Sequence, residues 1–484
     1  MKIVGKIVRL FMYSLPVVLF FSYYPVVQLA NGSAMNYELS LPILWLVGFD
    51  LCFLIIICLG KKWREVFLDI RRGWRWLVFP IFVSLSVLWS ANVVRGVLTV
   101  GLMWLIVIAI YGLLKMKKDF YDERVFDYKI WRVFLVATLV ICGWCVVQSM
   151  LDAFGVGRER TLMCVGCVSQ MFGFPHPNGF AIEPQFMGNL LLAPAIATAW
   201  LVMWKRKRYK NHTDSYYLRP GFVLLCFFVV TATLFLTFSR GAIYAFIVGM
   251  MFMTGFVLAK WKMWKHVSIA WGVVILAFAV TLNFQGFLTQ IGPTNDNYGD
   301  GVAKVLNHLS LGIVDVRGGE VVENSVENFE EGNAEAVFDG YVEESTDIRL
   351  ELNRNAIMIW GWDFRTMLFG VGIGGAGQAM YERGLTGTPK EIIQNEYFSL
   401  LTETGIVGLG LFVWLLLLVT KKFMKSKEAG MLLSLLLAYL VSLMFFSGLP
   451  NALQIYLMPA MFLMICDGAI DRKEGGIKGR NGKN

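Results

Sequence analysis

Two places in the sequence carry arginines that could hold an anion. The first is Ser239-Arg240-Gly241, which separates two apolar stretches and leaves almost no room for a loop. The second is the segment that begins at Arg349 and also holds Arg354, five residues further along. A guanidinium group can bind phosphate oxygens with two parallel hydrogen bonds, so these arginines indicate a phosphate site. The alternatives are that Arg240 is an interfacial anchor and that Arg349 pairs with an acid on a solvated helix.

A second group of polar residues surrounds the start of a late apolar stretch. Gln394, Asn395, Glu396 and Tyr397 stand directly before it, and Glu403 lies about two turns inside it. A carboxylate within a membrane span is costly and needs a partner. Glu403 is therefore expected to pair with another span or to contact a substrate.

A third group precedes the sixth apolar stretch. His176 and Asn178 flank a proline, which makes a turn signal, and Glu183 follows just before the stretch. His176 and Glu183 are both candidates for a proton acceptor. Cys164 and Cys167 lie in the same connection and could form a disulfide in an oxidising compartment. A zinc site is not expected there, because a single histidine is near and four ligands are needed.

The longest polar segment, residues 288–396, holds 18 acidic and 7 basic residues. Ten of the acids and no base lie between Glu320 and Asp347, so we expect a solvated or poorly ordered stretch there. Arg349–Trp362 has the apolar spacing of a helix. The run Gly370–Gly375 lacks the strand and helix that flank a nucleotide-binding loop, so we expect a backbone turn packed against helices.

The composition places the chain in a membrane. Of its 484 residues, 57% are hydrophobic and 16% are charged, with a mean hydropathy of +0.59. A soluble domain carries about 25% charged residues, so a soluble enzyme, a secreted disulfide scaffold and a coiled coil are excluded. About twelve apolar stretches have the length or composition of spans. They are 10–30, 41–60, 76–91, 97–114, 133–152, 186–204, 221–238, 243–259, 267–287, 397–419, 430–447 and 452–468.

The basic residues predict how the chain is threaded. With the N-terminus inside, 33 of the 44 lysines and arginines fall in the inner segments and 11 in the outer ones. Basic loops face the cytoplasm, so both termini are expected there, with 288–396 outside. The net charge of +9 is spread over seven inner segments. It forms no single patch, which argues against a nucleic-acid partner.

These observations predict an all-α polytopic membrane protein with about twelve transmembrane helices and one large extracytoplasmic loop before span 10. Residues 1–287 hold spans 1–9, residues 288–396 form the loop domain, and residues 397–484 hold spans 10–12 and a basic cytoplasmic tail. All the polar groups above then meet the same outer face of the membrane.

The order of these motifs resembles the O-antigen ligase and O-antigen polymerase superfamily. The resemblance rests on the Ser-Arg-Gly turn, the long loop with Arg349-Leu-Glu-Leu, the run Leu368–Gly374, and the stretch from Gln394 to Leu409, which is its most specific part. The span layout, the segment Val87–Ser90 and the Pro177-Asn178 turn agree with it. The resemblance covers nearly the whole chain.

The resemblance implies glycosyl transfer at the outer face of a bacterial inner membrane. The donor would be a glycan on undecaprenyl pyrophosphate, and the acceptor a hydroxyl on another saccharide. Arg240 and Arg349 correspond to the arginines that hold the pyrophosphate in the family, and neither a metal ion nor another cofactor is expected. Ser239, Asn178, Arg354, Asn395, Tyr397 and Glu403 are further candidates for substrate contacts.

One position departs from the family pattern. Family ligases carry a His-Asn pair where this chain has Gln394-Asn395, and the histidine is the proposed catalytic group. Gln394 can hydrogen-bond but cannot accept a proton, so Glu396, His176 and Glu183 are the candidates for a base. This difference favours a polymerase of surface polysaccharide over a ligase that transfers finished glycan to a lipid.

A flippase for lipid-linked sugars is the alternative outside this class. Such a transporter should carry charged residues along a central cavity. Only Asp50 and Glu403 lie clearly within the predicted spans, which argues against transport.

Overall fold

A computed structural model describes ten segments of the chain. They are residues 2–22, 26–31, 36–120, 123–154, 176–181, 183–203, 219–291, 298–309, 348–447 and 452–467. Cys164, Cys167 and the acidic stretch 320–347 lie outside these segments, so the expectations for them stay predictions.

The described chain is built almost entirely of helices. The helices are α1 (Lys2–Val18), α2 (Leu41–Leu59), α3 (Trp63–Gly73), α4 (Val78–Ser86), α5 (Val93–Phe120), α6 (Glu123–Ala153), α7 (Pro184–Met203), α8 (Pro220–Leu236), α9 (Arg240–Trp261), α10 (Trp264–Ile291), α11 (Tyr298–Leu309), α12 (348–360), α13 (Phe364–Phe369), α14 (Ala376–Glu382), α15 (Glu396–Met424), α16 (Ala429–Ser442) and α17 (Leu453–Asp467). Short 3₁₀ turns occupy Trp74–Trp76 and Val87–Trp89.

Seven helices of the described chain are long and apolar enough to cross a membrane. They are α2, α5, α6, α7, α9, α10 and α15, and four shorter apolar helices lie at Val78–Trp89, Pro220–Leu236, Ala429–Ser442 and Leu453–Ile465. These eleven helices fall on eleven of the twelve predicted apolar stretches, so the protein is an all-α polytopic membrane protein.

The first predicted stretch, 10–30, differs from the structure. Helix α1 begins eight residues earlier and ends at Val18. Strands β1 (Val26–Asn31) and β2 (Asn36–Ser40) then form an antiparallel pair before α2 begins. Hydropathy alone did not separate the helix from the strand, because a short apolar run suits either element.

Helix α7 is the centre of the bundle. It packs against α8, α9 and α16, and 83% of its apolar window is buried, against 28–44% for the other candidate spans. A helix that is apolar all round is buried inside its bundle. Residues at the start of α7 are therefore held firmly at one end of the molecule.

The described part of the segment 288–396 packs on that end of the bundle. Helix α11 contacts α10, and α13 and α14 contact α15. Leu352, Ala356 and Ile359 of α12 form a small core with Ala376 and Met380 of α14. We call this the loop end of the bundle, and every candidate residue discussed below belongs to it.

Candidate functional site

The Ser-Arg-Gly turn forms because two helices meet with almost no connection. Helix α8 ends at Leu236 and α9 begins at Arg240, with Phe238 in the left-handed region at φ 48°. The ideal Cβ position at Gly241 is 2.7 Å from Cβ of Phe445, so any larger residue there would clash. The turn therefore presses against the loop after α16, and Arg240 is held at the mouth of the bundle.

Arg240 and Arg349 lie at the same end of the bundle, both near Phe445. Arg349 of α12 donates from Nη2 to Oε1 of Gln185, 3.3 Å away, and Gln185 donates in turn to the carbonyl of Phe445 at 2.7 Å. The charges of the two arginines lie close enough to repel each other. Nη1 of Arg240 is buried and has no hydrogen-bond partner among the described residues. A buried donor on Arg240 beside a second guanidinium group makes a candidate site for an anion, which we call the arginine site.

Two buried histidines lie beside the arginines. The ring of His308 in α11 is 6.0 Å from that of His176, and His176 also contacts the ring of Phe238 at 5.5 Å. Burial, followed by the charges of Arg240 and Arg349, lowers the pKa of His308 to about 4. Burial also lowers the pKa of His176 well below its usual value, with His308 adding to the effect. Both rings are therefore neutral at pH 7.

Acid is expected to destabilise the protein through these histidines. An unfolded histidine has a pKa near 6.5, so between pH 6.5 and 4 the unfolded chain binds a proton that folded His308 does not. Stability is complete above pH 6.5 and falls as the pH is lowered. At pH 5 the loss from His308 alone is about 2 kcal/mol relative to pH 7.5. Thermal unfolding in detergent at both pH values measures it.

The variant His308→Gln provides the control for this pH dependence. Its amide can still donate to a backbone carbonyl, but it does not titrate. The difference in unfolding midpoint between pH 7.5 and pH 5 should shrink in the variant. An unchanged difference would show that other groups cause the acid sensitivity.

Glu183 stands directly before α7 and faces the same region. Desolvation raises the pKa of its carboxyl although the side chain keeps contact with solvent, and the charge of Arg349 opposes this rise. Glu183 thus lies near Arg349, and its role as a base stays a prediction. Ser239, the residue before Arg240, is buried at the N-terminus of α9.

The segment 394–397 starts α15 and has largely structural contacts. Asn395 caps the helix by accepting hydrogen bonds from the backbone of Tyr397 and Phe398, and it donates to the carbonyl of Met444 at 2.9 Å. The hydroxyl of Tyr397 donates to the carbonyl of Leu440 at 2.7 Å. These bonds lock the start of α15 to the end of α16 and occupy the side chains of Asn395 and Tyr397.

Gln394 and Glu396 differ from these neighbours. Oε1 of Gln394 is buried without a hydrogen-bond partner among the described residues. Glu396 is buried and accepts a hydrogen bond from Ser447 at 3.1 Å. Its carboxylate lines a cavity, whereas Arg354 on α12 is exposed and does not line it.

The run Gly370–Gly375 is a backbone turn that hydrogen-bonds to α15 next to a kink in that helix. Val371 and Gly372 donate to the carbonyls of Thr402 and Glu403 at 2.9 and 2.8 Å. Helix α15 breaks at Gly405, where φ is 66°. Gly372 also packs on Ser90, so the turn contacts the segment Val87–Ser90. The expected turn is confirmed.

The hydrogen-bond partners of Glu403 lie in this turn. Its Oε1 accepts from the backbone nitrogen of Ala376 at 3.4 Å, Gly374 adds another backbone contact, and the charge of Arg95 acts on it. Backbone N–H groups can satisfy a buried carboxylate. Asp50 in α2, by contrast, is buried with no hydrogen-bond partner among the described residues.

A small cavity with both polar and apolar walls lies beside this turn, between α4, α5 and α15. Its volume is about 40 Å³, which is room for a few water molecules. The polar side chains lining it are Arg95, Thr99, Glu391, Glu396, Ser399, Glu403 and Ser447. Carboxylates and hydroxyls of this kind are hydrogen-bonding partners for sugar hydroxyls.

Asn178 has a structural role in the described chain. Its side chain accepts from Gln148 and donates to the carbonyl of Ala181 at 3.0 Å. These bonds hold the turn that carries His176. In the parts of the chain that the structure describes, no group of three or more histidine, cysteine or acidic residues could hold a metal ion.

Sequence reasoning missed His308, Gln185 and Arg95. His308 lies in a short amphipathic helix, and no spacing in the sequence links it to the arginines. Gln185 directly follows the Glu183-Pro184 pair, so its position at the start of a span was a usable signal. Arg95 is a lone cation at the start of a span, and nothing in its sequence neighbourhood predicts a function for it.

Residues 222–413 match the family described as O-antigen ligase. The comparison with curated proteins found no match. The family match spans less than half of the chain, and it includes Arg240, Arg349, the glycine turn and the start of α15. The match supports the O-antigen ligase and polymerase superfamily of membrane proteins for polysaccharide biosynthesis.

Proposed function

We propose that the protein transfers a glycan from undecaprenyl pyrophosphate to a saccharide hydroxyl at the outer face of the bacterial inner membrane. The pairing of Arg240 with Arg349 is the observation that carries this proposal. The two residues are more than 100 positions apart, and like charges repel unless an anion lies between them. Glu183 offsets part of the charge of Arg349, and a bound pyrophosphate would neutralise the pair.

Glycosyl transfer from a pyrophosphate requires groups that stabilise negative charge on the leaving group. As the acceptor oxygen attacks the anomeric carbon, the bond to the pyrophosphate oxygen breaks and negative charge grows on the leaving group. Fixed donors aimed at that charge stabilise the transition state more than the bound donor. Arg349 is anchored through Gln185 on the buried helix α7, so it needs little reorganisation during the reaction.

We place the acceptor glycan near the small cavity that Glu396 and Glu403 line, at the same end of the bundle as the arginine site. The segment Leu443–Ser447 separates this cavity from the arginine site, since Phe445 accepts from Gln185 and Ser447 donates to Glu396. The backbone around the site is then held by Asn395, Tyr397 and Asn178. Candidates for direct substrate contacts remain Ser239 and Arg354.

The threading of the chain supports the location. The inner segments carry 33 of the 44 basic residues when both termini are cytoplasmic. The loop end of the bundle, with the arginine site, then faces outward. Lipid-linked repeat units are polymerised there, and the surface polysaccharide could be O-antigen, capsule or exopolysaccharide.

A ligase is the second candidate, because the matched family is described as O-antigen ligase. Purified protein in liposomes with undecaprenyl-pyrophosphate-linked repeat units distinguishes the two. A polymerase should yield a ladder of lipid-linked chains without any other acceptor. A ligase should yield product only when a lipid acceptor such as lipopolysaccharide core is added. Neither product with folded protein would contradict glycan transfer.

A further inference from the structure

Helix α3 and the turn after it present a row of exposed apolar side chains. Trp63, Phe67, Ile70 and Trp74 follow one another at intervals of four, three and four residues, which places them on one face of the helix. These four residues are between 47% and 67% exposed, and no residue of α3 is buried. We call this row the aromatic stripe.

The segment that carries the stripe is strongly basic. Residues 61–75 hold six basic residues and two acids, namely Lys61, Lys62, Arg64, Arg71, Arg72 and Arg75 against Glu65 and Asp69. Arg64, Arg71 and Arg75 each directly follow a residue of the stripe, so they lie along one edge of it, about 100° around the helix. All three are exposed. So many charges are too costly for the core of a bilayer, which leaves the segment at the bilayer surface.

The two acids of the segment face the bundle. Lys115, near the end of α5, forms salt bridges with Glu65 at 3.3 Å and with Asp69 at 2.9 Å, and the hydroxyl of Tyr111 donates to Asp69 at 2.9 Å. Each acid stands two residues after a member of the stripe, about 200° around the helix. Helix α3 is therefore attached to α5 by one side and presents the stripe on the other.

The salt bridges also agree with the predicted threading. Residues 61–75 follow the second predicted span, and Lys115 directly follows the fourth, 97–114. Both places lie on the inner side when the N-terminus is inside. Their contact shows that they share one end of the bundle.

We propose that α3 lies in the plane of the membrane at its cytoplasmic face and binds anionic phospholipids. The stripe enters the boundary between headgroups and acyl chains, and Arg64, Arg71 and Arg75 contact the headgroup phosphates. The inference is independent of glycan transfer and uses only the threading that places residues 61–75 inside.

Charge and residue type favour lipid over a protein partner. An apolar face with a basic edge is typical of helices that lie in a membrane surface, and tryptophan prefers the boundary between membrane and water. Anionic lipids give the cytoplasmic leaflet a negative potential that attracts arginine. The acids that would oppose this attraction are paired with Lys115 on the opposite side of the helix.

Hydrogen–deuterium exchange of the full-length protein, with one copy in each nanodisc, tests the inference. The discs contain phosphatidylcholine alone or phosphatidylcholine with phosphatidylglycerol. Each arginine near an anionic surface strengthens binding by about fivefold, so the amides of residues 63–74 should exchange about tenfold more slowly in discs with phosphatidylglycerol. High salt should reduce this difference, because it screens surface charges. Equal exchange in both kinds of disc would overturn the proposal.

The triple variant Arg64→Gln/Arg71→Gln/Arg75→Gln should lose the dependence on phosphatidylglycerol. Its matched control is Lys260→Gln/Lys262→Gln/Lys265→Gln, which removes the same charge from exposed positions between α9 and α10, in another predicted inner segment. The control should keep the dependence. An arginine variant that kept it, or a control that lost it, would show that these arginines do not bind the lipid specifically.

The double variant Phe67→Ser/Ile70→Ser tests the stripe without changing the charge. Exchange in α3 should become faster in both kinds of disc, while exchange in α5 stays as in the parent protein and shows that the bundle is folded. Unchanged exchange in α3 would mean that the stripe does not enter the membrane. Protection that required a second copy in the disc, or added cytosolic protein, would assign the stripe to a protein partner and overturn the proposal.

Discussion

Replacing Arg240 with lysine, or Arg349 with alanine, is expected to reduce glycan transfer by about 100- to 1000-fold. Both guanidinium groups stabilise charge that grows on the leaving pyrophosphate, so their loss lowers kcat and not affinity alone. Lysine at position 240 keeps the charge but loses the planar fork that binds two oxygens. The measurement is chain formation in the liposome assay and in cells that express each variant normally.

Arg365→Lys is the control for this prediction. Arg365 is an exposed arginine of α13 in the same loop, so it tests the effect of changing a loop arginine away from the site. Its activity should match that of the parent protein. Near-normal polymer from Arg240→Lys or from Arg349→Ala would remove that arginine from the site.

Gly405→Ala is expected to prevent the loop end from folding. The residue has φ 66°, and a Cβ there would lie 2.3 Å from the backbone of Leu368. The same substitution would push the glycine turn away from the carbonyls of Thr402 and Glu403. A backbone clash combined with strain at a positive φ costs about 4 kcal/mol or more. Size-exclusion profiles of detergent-solubilised protein should show little folded material.

Gly410→Ala, five residues later in α15, is the matched control. A Cβ at that position meets no atom within 4 Å, and alanine favours a helix by about 1 kcal/mol over glycine. This variant should express and unfold like the parent protein or better. If Gly405→Ala behaved in the same way, the kink would not depend on the glycine.

The spans of this protein could be predicted from its sequence because lipid leaves few choices for a backbone. Apolar length located eleven of the twelve stretches as helices, and the positions of lysines and arginines suggested which ends share a face. That shared face is why Arg240 and Arg349 could be expected together. The β-pair after α1 was not predictable, since a short apolar run has no period that excludes a strand.

The partners of the polar residues were harder to predict. Glu403 was expected to need a partner, yet its hydrogen bonds come from backbone nitrogens of the glycine turn. Backbone donors carry no signature in a sequence. His308 escaped notice for a similar reason, because its significance depends on the docking of α11 against α9 through Tyr244.

Asn395 shows the opposite case. Its residue type and position suggest a substrate contact, and the same features describe a helix N-cap. In the structure the side chain of Asn395 caps α15. A polar residue at the start of a span can therefore be a helix cap as well as a substrate contact, and the sequence alone does not distinguish the two roles.

Binding of undecaprenyl pyrophosphate to the purified protein in nanodiscs tests the central claim most directly. The parent protein and Arg365→Lys should bind it, and both should bind uncharged undecaprenol at least tenfold more weakly. Arg240→Lys and Arg349→Ala should each lose about 10- to 100-fold in affinity, as expected for a lost hydrogen bond to a charged group. Equal affinity of all four proteins for undecaprenyl pyrophosphate would contradict an arginine site for the donor.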